Sequence, residues 1–137
     1  MSLFVDTSVW YAAADRGDRG NSRAKEILSA AARRVTTDHV LLETWVLLRH
    51  RLNRDAAERF WDALRRGVAH VEPVTAADLE VAWAIGETFA DQDFSIIDRT
   101  SFAVMQRLGL ERAASFDDDF AVFRYGRRRD RAFRVMR

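Results

Sequence analysis

Short apolar runs alternate with longer stretches whose apolar residues recur every three to four positions, and this alternation organises the whole chain. Leu3-Phe4-Val5 is an unbroken apolar run of strand length, followed by a short helical stretch over 9–14 and a loop at Arg16-Gly17-Asp18-Arg19-Gly20. Asn21 or Ser22 can cap the next helix, in which Ala24, Ile27, Leu28 and Ala31 fall at helical spacing. Val35-Thr36-Thr37 reads as a second strand, and helices follow over 39–51 and 54–66. The second of these sets Ala57, Phe60, Trp61 and Leu64 on one face and stops at Gly67. A third strand over 68–74 precedes a helix over 75–90, with Leu79, Ala82, Trp83 and Phe89 on its apolar side. The last helix runs over 95–108 and stops at Gly109; 112–116 is a fourth strand and 132–135 a short fifth. Short apolar strands between helices predict an α/β domain, its mostly parallel sheet of four to five strands covered on both faces.

In such sheets ligands gather beyond the carboxyl ends of the strands. Asp6 closes the first strand, and Asp117 follows Ala113-Ala114-Ser115-Phe116. Glu43 interrupts the apolar helix Val40-Leu41-Leu42-Glu43-Thr44-Trp45-Val46-Leu47-Leu48, and Asp98 follows Phe94-Ser95-Ile96-Ile97. An ionised carboxylate taken from water costs several kcal/mol unless it is paired or binds a metal. Acids at the margins of four apolar segments therefore suggest a hard-cation site of oxygen ligands. Each acid also has a local role to weigh. Asp6 can belong to the cap of the next helix, although Thr7 and Ser8 can fill that role. Ser95-Ile96-Ile97-Asp98 has the form of a capping box. Asp117-Asp118-Asp119 resembles a solvated turn, with Asp117 nearest the strand end and Asp119 the second candidate. Asp93 suits a loop or cap. Glu43 has Val40 and Leu47 at i−3 and i+4, so no local ion pair accounts for it, and it is expected to be a buried acid of the metal site.

Composition narrows the chemistry. The 137 residues fit a single domain, 1–137, large enough for a core of its own. Without cysteine there is no disulfide framework and no thiolate chemistry. No run approaches the ~20 apolar residues of a membrane helix, and the start lacks the basic and apolar regions of a signal peptide, so a cytoplasmic protein is expected. The glycines are dispersed and form no phosphate loop, and His39, His50 and His70 have no metal-ligand spacing. Ser8 and Ser101 have no evident triad, and Asp6-Thr7-Ser8 lacks the second acid two residues on that an aspartyl-phosphate phosphatase uses. The net charge of +1 conceals an asymmetry, because residues 124–137 carry seven arginines against Asp130, a basic tail of +6 on a body of −5. Such a tail can bind polyanions or simply be a solvated terminus.

Phe4-Val5-Asp6-Thr7-Ser8-Val9-Trp10, Leu42-Glu43-Thr44, the segment from Asp91 to Phe102, and Ser115-Phe116-Asp117-Asp118-Asp119-Phe120 resemble the successive motifs of PIN-domain nucleases. More narrowly they are similar to the VapC-type toxins of bacterial toxin–antitoxin modules, and the likeness extends over essentially the whole chain. The resemblance implies a three-layer α/β/α sandwich and a Mg²⁺- or Mn²⁺-dependent endoribonuclease leaving a 5′-phosphate and a 3′-hydroxyl. By position, Asp6, Glu43 and Asp98 match the family's main acids, Asp117 its more variable fourth, and Thr7 and Ser95 nearby polar residues. Ile97 stands where many relatives have a small polar residue. The resemblance also implies an RNA substrate, a small antitoxin docking between helices near the site, and a homodimer. Trp10, Tyr11, Trp45, Leu48, Phe60 and Trp61 are the expected sources of an exposed apolar patch. The alternatives are a PIN-fold interaction module that does not cleave, and a structure-specific DNA nuclease.

Overall fold

Strand β1 (Ser2–Val5) buries Leu3, Phe4 and Val5 in succession. Consecutive strand residues face opposite sides of a sheet, so burial of all three means that both faces are covered. The computed structural model describes residues 2–137 and orders its elements as β1, α1 (Thr7–Ala14), α2 (Asn21–Ala30), β2 (Arg33–Thr37), α3 (Asp38–Arg51), α4 (Arg54–Arg65), β3 (His70–Glu72), α5 (Ala76–Thr88), α6 (Ile96–Leu108), β4 (Arg112–Ala114), α7 (Asp119–Val122) and β5 (Arg134–Met136). The sheet has the order β3-β2-β1-β4-β5, and each adjacent pair is parallel. The chain winds outward from β1 through β2 to β3, then crosses back to β4 on the other side of β1. The topological switch point therefore lies between β1 and β4, and the loops leaving their carboxyl ends open a crevice there.

Most predicted elements are present; the first two strands begin earlier than expected and the last three are shorter. The fourth strand ends at Ala114, and the single turn of α7 was not anticipated. The arginine-rich end does not trail into solvent: β5 pairs with β4, and Arg131 binds Glu111 while stacking on Tyr125. The core beneath the sheet is aromatic, with Phe102 stacked on Phe123 at 4.3 Å and edge-on to Phe94 and Phe120. Gly109 ends α6 in the left-handed conformation, where a side chain would be strained.

The apolar faces need correction. Trp10, Tyr11, Leu48 and Phe60 are core residues and contribute no exposed patch. Leu79 and Trp83 face outward instead of inward, and Trp61 is 44% exposed on the rim of its helix. Large apolar residues occur on several sides of these helices, so periodicity alone could not select the buried face.

One ion pair, with a buried carboxylate and an exposed guanidinium, has no signal in the sequence. Asp78, in the first turn of α5, completes a capping box with Thr75 and receives a two-pronged contact from Arg107 of α6, Nε to Oδ1 and Nη2 to Oδ2, each 2.9 Å. The guanidinium also reaches Glu72 and the Pro73 carbonyl, tying β3 to both helices. Arg107 holds the Asp78 carboxyl below the usual carboxylate range. Arg107→Met is expected to cost about 1 kcal/mol at pH 7, because Asp78 loses its charged partner while solvent at the exposed arginine screens the pair. The loss should shrink only below pH 4, as the pH falls toward the lowered pKa of Asp78; urea unfolding at pH 7 and pH 3 checks this.

Candidate metal centre and active-site cleft

The cleft at the switch point has a volume of about 510 Å³, and Asp6, Glu43, Asp98 and Asp117 all line it. Asp119, Asp18 and Asp93 join them, with Thr7, Ser8 and Ser95. The chain thus brings together all four predicted acids from β1, α3, α6 and the segment after β4.

Asp6 is the N-cap residue of α1, but its carboxylate makes no cap bond. Its main-chain carbonyl accepts from the Val9 and Trp10 amides, while Oδ2 accepts from Ser8 Oγ at 3.0 Å and Ser115 Oγ at 2.9 Å. Thr7 and Ser8 do not cap the helix, which begins at Thr7. The two serines brace the site instead: Phe116 N donates to Ser8 Oγ, and Asp117 N to Ser115 Oγ. Burial pushes the Asp6 carboxyl up, against the hydrogen bonds from Ser115, the Thr7 amide and Ser8.

Asp98 makes half of a capping box. Ser95 Oγ accepts from the Asp98 amide at 3.0 Å, but no reciprocal bond returns from the Asp98 carboxylate, which is released toward the cleft. It is buried among acids and its pKa is raised to about 8, first by burial, then by a hydrogen bond with Asp119 and by the charges of Asp6, Asp117 and Asp119. Asp119 is raised as well, first by burial, so the two carboxyls titrate as a pair.

Ligand oxygens of Asp98, Asp117 and Asp119 all lie within 4.8 Å of one another. Asp117 is exposed and accepts from the Asp119 amide at 3.0 Å, a local turn bond at the start of α7. Asp119 is half-buried and bonded to Asp98. The solvated-turn reading thus suits Asp118, which pairs with Arg137, better than its neighbours.

Glu43 corrects an expectation: it is half-buried on the cleft wall, not buried. It sits beyond the first turn of α3, with Thr44 and Leu48 turned to the core while Leu42 and Val46 are 60% and 61% exposed. Sequence reading missed Asp18 and Arg51 as cleft residues, and Ser115 as the buried support of Asp6. Asp18 lay in a segment read only as a loop, and its carboxylate accepts from the Gly20 amide. Ser115 had a visible signal in its place just before the acidic run.

A cleft of oxygen donors at the switch point of a parallel sheet defines a class of α/β domain suited to holding a hard cation against a polyanion. The chain belongs to the PIN domain family, whose pattern matches residues 3–124. Its likeness to VapC-type toxins is borne out as well. It is 39% identical over 121 residues to the 23S rRNA-specific endonuclease VapC20 of Mycobacterium tuberculosis, in strains CDC 1551 / Oshkosh and H37Rv, covering 88% of this chain and 92% of the relative. The crystal structure of M. tuberculosis VapC20, described as a sarcin-ricin loop cleaving toxin, matches with a TM-score of 0.81 at 39% identity, over 85% of this chain and 91% of that one. A toxin–antitoxin complex from Klebsiella pneumoniae shares the fold, with a TM-score of 0.67 at 19% identity over 88% and 91% of the two chains.

Proposed function

We propose that this chain is a metal-dependent endoribonuclease and the toxin of a toxin–antitoxin pair. The observation that carries the reading is the convergence of Asp6, Glu43, Asp98, Asp117 and Asp119 on one cleft. Five carboxylates there serve no structural pairing that needs all of them, and a divalent cation relieves their repulsion.

The donor set fits such an ion. Asp98, Asp117 and Asp119 offer three oxygens close enough to share one cation, and hard oxygen ligands suit Mg²⁺ or Mn²⁺. Thr7 Oγ1 is buried at the cleft without a hydrogen-bond partner among the described residues, as expected of a polar atom kept for a water or ligand. Asp98 and Asp119 would hold the ion with Asp117, while Asp6, locked by Ser8 and Ser115, adds charge beside them. Asp119 is a ligand alongside Asp117, because its carboxyl faces Asp98, whereas Asp117 has one oxygen engaged in the α7 turn and the other left for the ion. A bound divalent ion supplies acidification of water and offset of phosphate charge. Glu43 faces the same space from α3 and orients water or substrate. No side-chain nucleophile is required, and hydrolysis leaves a 5′-phosphate and a 3′-hydroxyl.

The likeness to VapC20 favours RNA over DNA, and a 23S rRNA fragment is the substrate to try first. Leu42, Val46 and Ile96, all about 60% exposed beside the cleft, support a protein-binding role for this side of the molecule. No helix among the described residues is long and apolar enough to cross a membrane. Purified chain is expected to cut the rRNA fragment in Mn²⁺ or Mg²⁺, to be silent in EDTA, and to spare DNA of the same sequence. Undiminished cleavage in EDTA, or cleavage of DNA alone, would overturn the enzymatic reading. Co-expression with the adjacent small open reading frame is expected to give a tight complex with suppressed cleavage, and light scattering a homodimer of the free chain. A monomer that ignores the neighbouring product and leaves growth unaffected would remove the toxin assignment.

A further inference from the structure

Among the described residues lining the acidic cleft, a single side chain is cationic at every working pH: Arg51. It stands in the last turn of α3, on the same face as Glu43 and Leu47, because positions four apart stack along a helix. All three line the cleft. Two turns of helix place Arg51 about 12 Å along the axis from Glu43.

The guanidinium lies over the ring of Tyr11, 5.3 Å from its centroid. Tyr11 is itself 7% exposed, and its hydroxyl donates to Asp15 Oδ2 at 2.8 Å, so the platform beneath the arginine is fixed. No carboxylate of the described residues lies within ion-pair distance of Arg51, although each arginine of the neighbouring α4 has one. The guanidinium also interacts with the Tyr11 hydroxyl, which fixes one side of it, while its remaining N–H groups have no carboxylate partner and can donate to a phosphate.

A nucleic acid entering this cleft meets carboxylates almost everywhere. A cation among Asp98, Asp117 and Asp119 can offset charge at the scissile phosphate but leaves the flanking phosphates facing acids. We infer that Arg51, seated on Tyr11, is a positioning residue that clamps a backbone phosphate flanking the scissile one and so sets the path of the RNA through the cleft. This rests on the ribonuclease reading for its substrate, and on the geometry of α1 and α3 for the clamp itself.

The test uses full-length wild type, Arg51→Met and Arg51→Lys. Steady-state cleavage is measured in Mn²⁺, and binding of a fluorescein-labelled single-stranded RNA is followed by anisotropy in Ca²⁺ across a NaCl series. For Arg51→Met, KM and the dissociation constant are expected to rise about tenfold or more while kcat stays within about threefold. The log–log salt slope should fall by about 0.7, the share of one phosphate contact on a single strand. Arg51→Lys should recover that slope but only part of the affinity, since an ammonium cannot form the fork. A purely structural role at the helix end would lower the melting temperature and leave the salt slope alone. A folded Arg51→Met with KM, affinity and salt slope within twofold of wild type would overturn the clamp while leaving the nuclease standing. RNA binding that depends on Arg51 in a wild type unable to cleave would instead overturn the ribonuclease reading and keep the clamp. A wild type that neither binds nor cleaves RNA overturns both.

Discussion

Asp98→Asn is expected to reduce RNA cleavage by at least about a hundredfold and to abolish the rise in melting temperature that Mg²⁺ or Mn²⁺ produces in the wild type. The carboxylate lies at the meeting point of α6 and the turn before α7, bonded to Asp119 and within the field of Asp6 and Asp117. An amide in its place keeps the shape and the Ser95 cap, which uses the Asp98 main-chain amide, so the fold should persist. What it removes is an anionic ligand in the centre of the set. Asp6→Asn should lower cleavage similarly, and because both serine bonds fall on the single oxygen Oδ2, an amide oxygen there can keep them and preserve the fold. Cleavage by either variant at the wild-type rate, in titrations to saturating Mn²⁺, would remove that residue from the proposed centre.

The second large effect is on stability against pH in the absence of metal. The folded pKa of Asp98, about 8, lies far above the unfolded value near 3.8. Folding therefore takes up a proton between these limits, and stability falls as pH rises from about 4 to about 8 before levelling off. Asp6, also raised by burial, acts in the same direction. Asp78 and Glu72 are lowered by their partners, so their contribution is lost only as pH falls through the acid range. They leave the window from pH 5 to 8 to the cleft acids. Moving metal-free protein from pH 8 to pH 6 should raise the melting temperature by about 5 °C, and Asp98→Asn should flatten the dependence. Saturating Mn²⁺ should reverse it, since binding must displace the shared proton. A metal-free melting temperature that climbs with pH over this window would contradict the buried-carboxylate reading.

The acids of the cleft were legible because the periodicities of strand and helix set an acid apart from its apolar segment. A charge that closes a buried strand, as Asp6 does, stands out against its own segment. So does one in an otherwise apolar helix, as with Glu43. The order of elements then placed these residues beyond the carboxyl ends of the strands without knowledge of any distance.

Which oxygen faces which was a matter for the tertiary structure. Asp117 and Asp119 are two residues apart and alike in chemistry. Their difference comes from α7, a single turn with no periodic signal, which engages Asp117 locally and leaves Asp119 to Asp98. The same holds for Arg51 and Tyr11, forty positions apart in the chain and joined only by the packing of α1 on α3. Arg107 and Asp78 meet because α5 lies on α6. Helices apolar on several sides likewise could not declare that Trp10 is inside and Trp83 outside, since that choice belongs to the neighbour against which each helix packs. By itself the sequence determined the α/β fold and the acids of its cleft, because backbone periodicity and the cost of burying charge act within a segment. The partner of each side chain was decided only by the assembled sheet and helices, because contacts between distant segments leave no trace in local pattern.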